Sequence, residues 1–195
     1  MGNIEIAMSR KSVDLKKSTI FIAGVYGTGK STMCSALSKM LHIPAFSAGD
    51  LISSINGEKY GANKAVTDKD GNQALLVERV QQLFKKYERI ILAGHFCIFN
   101  ANAGIEILPE SVYHALSISQ IILLETNSQT IISNLRRRDG MAYSLKSISK
   151  LIEKERAQSE RISEQLNCPL SIYQMTFTDQ DVQQIALLIS QGEKI

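Results

Sequence analysis

The chain has 195 residues, 44% of them apolar and 21% charged, and its 22 basic and 19 acidic side chains leave a formal charge of only +3. That composition predicts a single ordinary soluble domain able to bury a core, and net charge alone gives no case for nucleic acid, although basic patches remain open because charge acts locally. Cys34, Cys97 and Cys168 are widely spaced, odd in number and without a C-x-x-C pair, which argues against structural zinc and for reduced thiols, as in the cytoplasm.

No apolar run approaches a membrane span, and the first residues lack the apolar core of a secretion signal. Residues 1–18 carry four basic and two acidic side chains among scattered apolar positions, and read as an N-terminal tail outside the fold. Residues 19–195 then form the domain.

Thr19 to Ala23 reads as a buried strand running into Gly24-Val25-Tyr26-Gly27-Thr28-Gly29-Lys30-Ser31-Thr32, which fits the P-loop pattern G-x-x-x-x-G-K-[ST]; Ser31 to Leu41 reads as the helix that follows. Glycines let successive N–H groups turn inward around a phosphate, and the helix start adds unpaired amides and a positive dipole end. Lys30 then meets the β- and γ-phosphates and Ser31 offers its hydroxyl to Mg²⁺. The pattern, in this strand–loop–helix setting, predicts nucleoside triphosphate binding.

Ile43 to Ser47 reads as a second strand, with a helix from about Leu51, and Asn56 to Asp70 as an exposed, polar loop. From Gly71 to Tyr87 a 3.6-residue apolar stripe through Leu76, Val80, Leu83 and Tyr87 predicts a helix. Arg89 to Ala93 is a third strand, 97–109 is irregular, Glu110 to Leu116 a short helix and Gln120 to Glu125 a fourth strand. Asn127 caps a helix to Leu135 that meets Arg136-Arg137-Arg138, the start of a short lid over about 136–145; a long helix from Ser144 or Leu145 to Leu166, a strand within Leu170 to Phe177 and a helix capped near Thr178 to Asp181 complete the chain.

Apolar strands alternating with helices indicate an α/β fold, a parallel sheet covered on both faces, in which ligands bind beyond the strands' carboxyl ends. The residues that follow the strands are therefore candidates. Asp50 is placed to assist Mg²⁺ or take a proton from an acceptor hydroxyl, or to cap the helix at Leu51. His95 is placed to orient the acceptor or to bond a loop carbonyl, and Glu125 to serve as an acidic metal partner or a helix-start charge. Arg136 and Arg138 suit charge on a transferring phosphoryl group, with Arg137 read as solvated; Lys64, Asn72 and Gln73 are weaker acceptor candidates. Ala93 stands where many P-loop enzymes carry a Walker B Asp.

These segments together resemble the nucleoside monophosphate kinases, specifically the archaeal and nuclear adenylate-kinase-like branch. The resemblance rests on the P-loop, Ser47-Ala48-Gly49-Asp50-Leu51-Ile52, Asp68-Lys69-Asp70, Ala93-Gly94-His95 and Asn134-Leu135-Arg136-Arg137-Arg138, in order over about 19–190. It implies a P-loop NTPase sandwich of three α/β/α layers with five parallel strands, ATP and Mg²⁺ as cofactors, Asp50 beside metal or acceptor, His95 as the strand-three histidine and Arg138 as the lid arginine. Ala93 replaces the family's Asp and Asn134 its first lid arginine, a role open to Arg136. Some members couple ATP turnover to ribosome assembly, which leaves a macromolecular partner open.

The leading expectation is transfer of the ATP γ-phosphoryl group to a nucleoside monophosphate, with Lys30, Asp50, His95, Arg136 and Arg138 at the chemistry. Two alternatives stand beside it: a hydroxyl kinase for a small metabolite or a nucleic-acid end, and a nucleotide-gated binding protein with slow ATP hydrolysis.

Overall fold

The computed structural model describes residues 17–56, 69–100, 104–140 and 143–192. Most of the predicted tail, the loop 57–68 with Lys64 and Asp68, and residues 141–142 of the predicted lid lie outside them.

Five strands form one parallel sheet in the order β2-β3-β1-β6-β7: β1 Ser18–Ala23, β2 Ala45–Ser47, β3 Arg89–Ala93, β6 Ile118–Glu125 and β7 Leu170–Gln174. Two further strands, β4 Cys97–Asn100 and β5 Gly104–Ile107, pair antiparallel beside it. The helices are α1 Lys30–Leu41, α2 Ala48–Asn56, α3 Lys69–Leu83, α4 Glu110–Ala115, α5 Ser128–Asp139, α6 Leu145–Leu166 and α7 Gln180–Gly192. No described helix is long and apolar enough to cross a membrane.

The sheet is apolar throughout because both faces are covered. Alternate residues of β1 point to opposite sides: Ile20 and Ile22 enter a core with Met33 and Leu37 of α1 and Ile185 and Ile189 of α7, while Phe21 and Ala23 enter a second core built from α3, α4, α5 and α6. Parallel pairing brings the carboxyl ends of β1 and β3 side by side, Ile22 opposite Ala93, with Ser47 of β2 beyond. The P-loop, the turn after β3 and the start of α2 therefore share one edge.

Several expectations need correction. β1 begins at Ser18, inside the expected tail. α2 begins at Ala48 rather than Leu51, so Asp50 sits in its first turn and the cap is Ser47, whose Oγ accepts the Asp50 N–H at 3.4 Å. Within the stretch expected to be irregular, Cys97–Asn100 and Gly104–Ile107 are paired antiparallel strands. α3 starts at Lys69, before Gly71. α5 continues through Arg136, Arg137 and Arg138 and ends on Gly140, whose left-handed φ of 68° lets its N–H reach the Arg136 carbonyl. The arginines expected to open a mobile lid thus occupy a helix's last turn. Asn127 caps α5 as expected, through Thr130 N–H at 2.8 Å, and Ser144, one of two expected starts of α6, caps that helix through Ser147 N–H at 3.0 Å. Cys34, Cys97 and Cys168 are free thiols.

Candidate active site

The P-loop carries three left-handed glycines, Gly24, Gly27 and Gly29, at φ of 141°, 82° and 88°. A Cβ on Gly24 would lie 2.5 Å from the Leu124 carbonyl oxygen, so here the sheet's packing and the backbone angle both demand glycine. No side chain caps α1, whose first amides are left for an incoming anion. Thr28, fully buried, donates to the Val25 carbonyl at 2.9 Å and stiffens the loop. Lys30 turns back across it: Nζ donates to the carbonyls of Gly24 at 2.7 Å and Val25 at 2.9 Å.

A cavity of about 550 Å³ opens over this loop. Gly27, Gly29, Lys30, Ser31 and Thr32 form its floor; Asn134, Arg137 and Arg138 stand on one side, and Ser47, Gly49, Asn72, Gln73 and His95 on the other. Its far end is apolar, walled by Ile52, Leu76, Ile98, Leu108 and Leu116. Asn134, Arg137 and Arg138 are spaced three and four apart, hence on one face of α5. The Asn134 amide donates to the Gly27 carbonyl at 2.9 Å, and its Oδ1 accepts from Arg137 at 2.6 Å.

His95 is half-buried and packs against Tyr26 with ring centroids 4.4 Å apart. Its carbonyl accepts the Tyr113 hydroxyl at 2.7 Å, fixing the turn. Burial, then the nearby Glu155 carboxylate, raises the Tyr26 phenol above its ordinary range, so Tyr26 and Tyr113, both shifted upward by the same two causes, stay neutral.

A model of the AAA domain family matches residues 23–151. The chain belongs to that family. No curated protein matches this AAA-family chain in sequence. Among solved structures it is similar to a gluconokinase from Sinorhizobium meliloti (14% identity, 92% of this chain and 95% of that one, TM-score 0.58). It is also similar to a shikimate kinase from Acinetobacter baumannii in complex with shikimate (12% identity, 90% and 92%, TM-score 0.55) and to one from Aquifex aeolicus (16% identity, 90% and 98%, TM-score 0.55). The AAA domain here therefore has a P-loop kinase fold.

Of the expected site residues, Tyr26, Gly27, Gly29, Lys30, Ser31, Thr32, Asn72, Gln73, His95 and Arg138 line the cavity. Gly24, Val25 and Thr28 shape the loop from beneath. Asp50 is exposed and does not line the cavity, and Arg136 projects off the cavity face of α5, leaving that place to Arg137. Glu125 is no open metal partner: Arg156 clasps both its oxygens, from Nε at 2.8 Å and from Nη2, and Gln174 donates to it at 2.8 Å.

Two features of this AAA domain escaped the sequence reading. Phe177, 46% exposed and at φ 59°, lies against the floor at Gly29, where a Cβ would meet its ring at 3.6 Å. Buried Asp181 holds that loop by accepting from the Phe177 N–H at 2.7 Å and the Thr176 hydroxyl at 2.6 Å; burial pushes its carboxyl up, but bonds from Thr176, Tyr173 and Phe177 prevail and lower its pKa. The other is Glu155, buried on α6 beneath the P-loop.

Proposed function

We propose that this chain is an ATP-dependent kinase of a small acceptor. The observation that carries the reading is the continuity of one cavity from the P-loop and the α5 arginines to Ser47, Asn72, Gln73 and His95. A donor and an acceptor held there would meet at Lys30.

ATP suits the floor because left-handed glycines, an uncapped helix start and a lysine together offer only donors and positive charge. For Mg²⁺, Ser31 supplies a hydroxyl, and no carboxylate lines the cavity among the described residues. That donor set fits a cation held chiefly by phosphate oxygens and water, which is how Mg²⁺ commonly binds beside phosphates. When bound, the metal would neutralise phosphate charge. The chain's own part is positioning: Lys30 and the loop amides hold the phosphates, Arg137 and Arg138 face the charge that spreads during transfer, and Phe177 offers a flat wall for the donor's base.

Two acceptor chemistries compete. The similar solved structures are shikimate kinases and a gluconokinase, which favours a metabolite hydroxyl; His95 is then the cavity's candidate proton acceptor in place of Asp50. A nucleoside monophosphate, the adenylate-kinase-like reading, is favoured by the lack of a lining carboxylate among the described residues, because a phosphate oxygen needs no base. The neighbouring amides of Asn72 and Gln73 and the apolar end suit the edge and face of a base.

The test is γ-labelled Mg-ATP incubated with monophosphates, nucleosides, polyhydroxy acids and RNA ends, beside Lys30→Ala. Label on one acceptor, lost in the variant, supports the kinase and names its class. Release of inorganic phosphate alone overturns it in favour of the gated binding protein, which Ala93 makes the natural rival.

A further inference from the structure

We propose that Glu155 is a positioning residue that fixes the phosphate loop against the turn after β3, so that donor and acceptor groups keep one spacing. This rests on the kinase reading of the site and adds a residue that touches neither substrate.

Glu155 is 1% exposed at the middle of α6. Its Oε1 accepts from the N–H of Gly24 at 3.2 Å and of Phe96 at 3.0 Å; its Oε2 accepts from Phe96 at 2.9 Å and Cys97 at 2.7 Å. Gly24 opens the P-loop, and Phe96 and Cys97 directly follow His95. One carboxylate thus ties together segments more than seventy positions apart in sequence order, using three main-chain donors that the sheet leaves unpaired at its edge.

Burying a charge is costly unless donors and an opposite charge surround it. Lys30 from α1 supplies that charge, while Tyr26, Cys97 and Tyr113 face Glu155 from the loop, β4 and α4. Chemistry explains why a carboxylate is needed. Glutamine has the same shape but one acceptor oxygen, and its NH₂ would confront a main-chain N–H. Aspartate keeps the charge and falls one methylene short. The turn is also closely packed: a Cβ on Gly94 would come within 2.5 Å of the Phe21 ring.

The experiment is calorimetric titration of ATP at pH 8, where Glu155 is chiefly ionised, into the full chain and its Glu155→Gln, Glu155→Asp and Ile162→Val variants, with melting temperatures recorded for each. Ile162 is buried on the same helix and away from the cavity, so its variant reports destabilisation alone. Glu155→Gln should bind ATP roughly tenfold more weakly, the expected loss of a charged hydrogen-bonded group. Glu155→Asp should recover part of that, and Ile162→Val should bind like the wild type despite melting lower. Equal ATP affinity in Glu155→Gln and wild type overturns the proposal, as does equal weakening in Ile162→Val. A wild-type chain that binds no ATP overturns the kinase reading itself.

Discussion

Asn134 donates its side-chain amide to the Gly27 carbonyl, so helix α5 is bonded directly to the crown of the phosphate loop. The same side chain accepts from Arg137, which orients that arginine along the cavity wall. Asn134→Leu keeps the bulk and removes both bonds. ATP affinity should fall roughly three- to tenfold, in line with about 1 kcal/mol for a hydrogen bond, while the far-ultraviolet circular dichroism is unchanged.

Helical phase separates three consecutive arginines. Arg137→Ala and Arg138→Ala should each cut phosphoryl transfer by about a hundredfold or more, the scale seen when a group facing transition-state charge is removed. Arg136→Ala, off the cavity face, should stay within about twofold. Steady-state rates at saturating ATP check this, and equal losses at all three positions would contradict the assignment.

Glu155 also predicts a stability profile. Burial pushes its carboxyl up to about 7 from 4.5, against the pull of the Phe96, Cys97 and Gly24 amides and Lys30. Between those values the folded chain holds a proton that the unfolded chain has released, so this group's contribution falls as pH rises through the window, by at most roughly 3 kcal/mol. Urea midpoints at pH 5 and 7.5 should show that slope in the wild type and lose it in Glu155→Gln.

Ala93 ends β3 on the cavity wall, beside Ile22 and Ser47. Ala93→Asp would return a carboxylate to the side facing Ser31. Mg²⁺ should then be needed at lower concentration for ATP turnover, while without the metal the new buried charge costs about 3–5 kcal/mol of stability. A magnesium titration of activity, paired with a melt, reads both.

Much of this architecture is legible from residue order because local signals and tertiary demand agree. The P-loop pattern, the continuous apolar run of Arg89 to Ala93, and the cap at Asn127 each state their element and its boundary. What escaped needed three-dimensional information. The β4–β5 pair has four-residue strands, too short for alternation to show. Arg137 is told from Arg136 only by counting from Asn134 around the helix. Glu155 lies in the charged string Glu153-Lys154-Glu155-Arg156, yet Ile148, Leu151, Glu155, Ser159 and Ile162 form one buried stripe, so its phase was the readable clue. Phe177 gave none, since its exposure and left-handed turn depend on Asp181.

Helix α6 bonds to several parts of this site's frame through successive turns. Ser149 bonds to Ser128 of α5, Glu155 holds the loop and the turn, Arg156 clasps Glu125 at the end of β6, and Arg161 and Gln165 reach Glu110 of α4. The arginine helix, the phosphate loop and α4 therefore hang from a single beam. On the kinase reading, any shift of that helix would be felt by all three together.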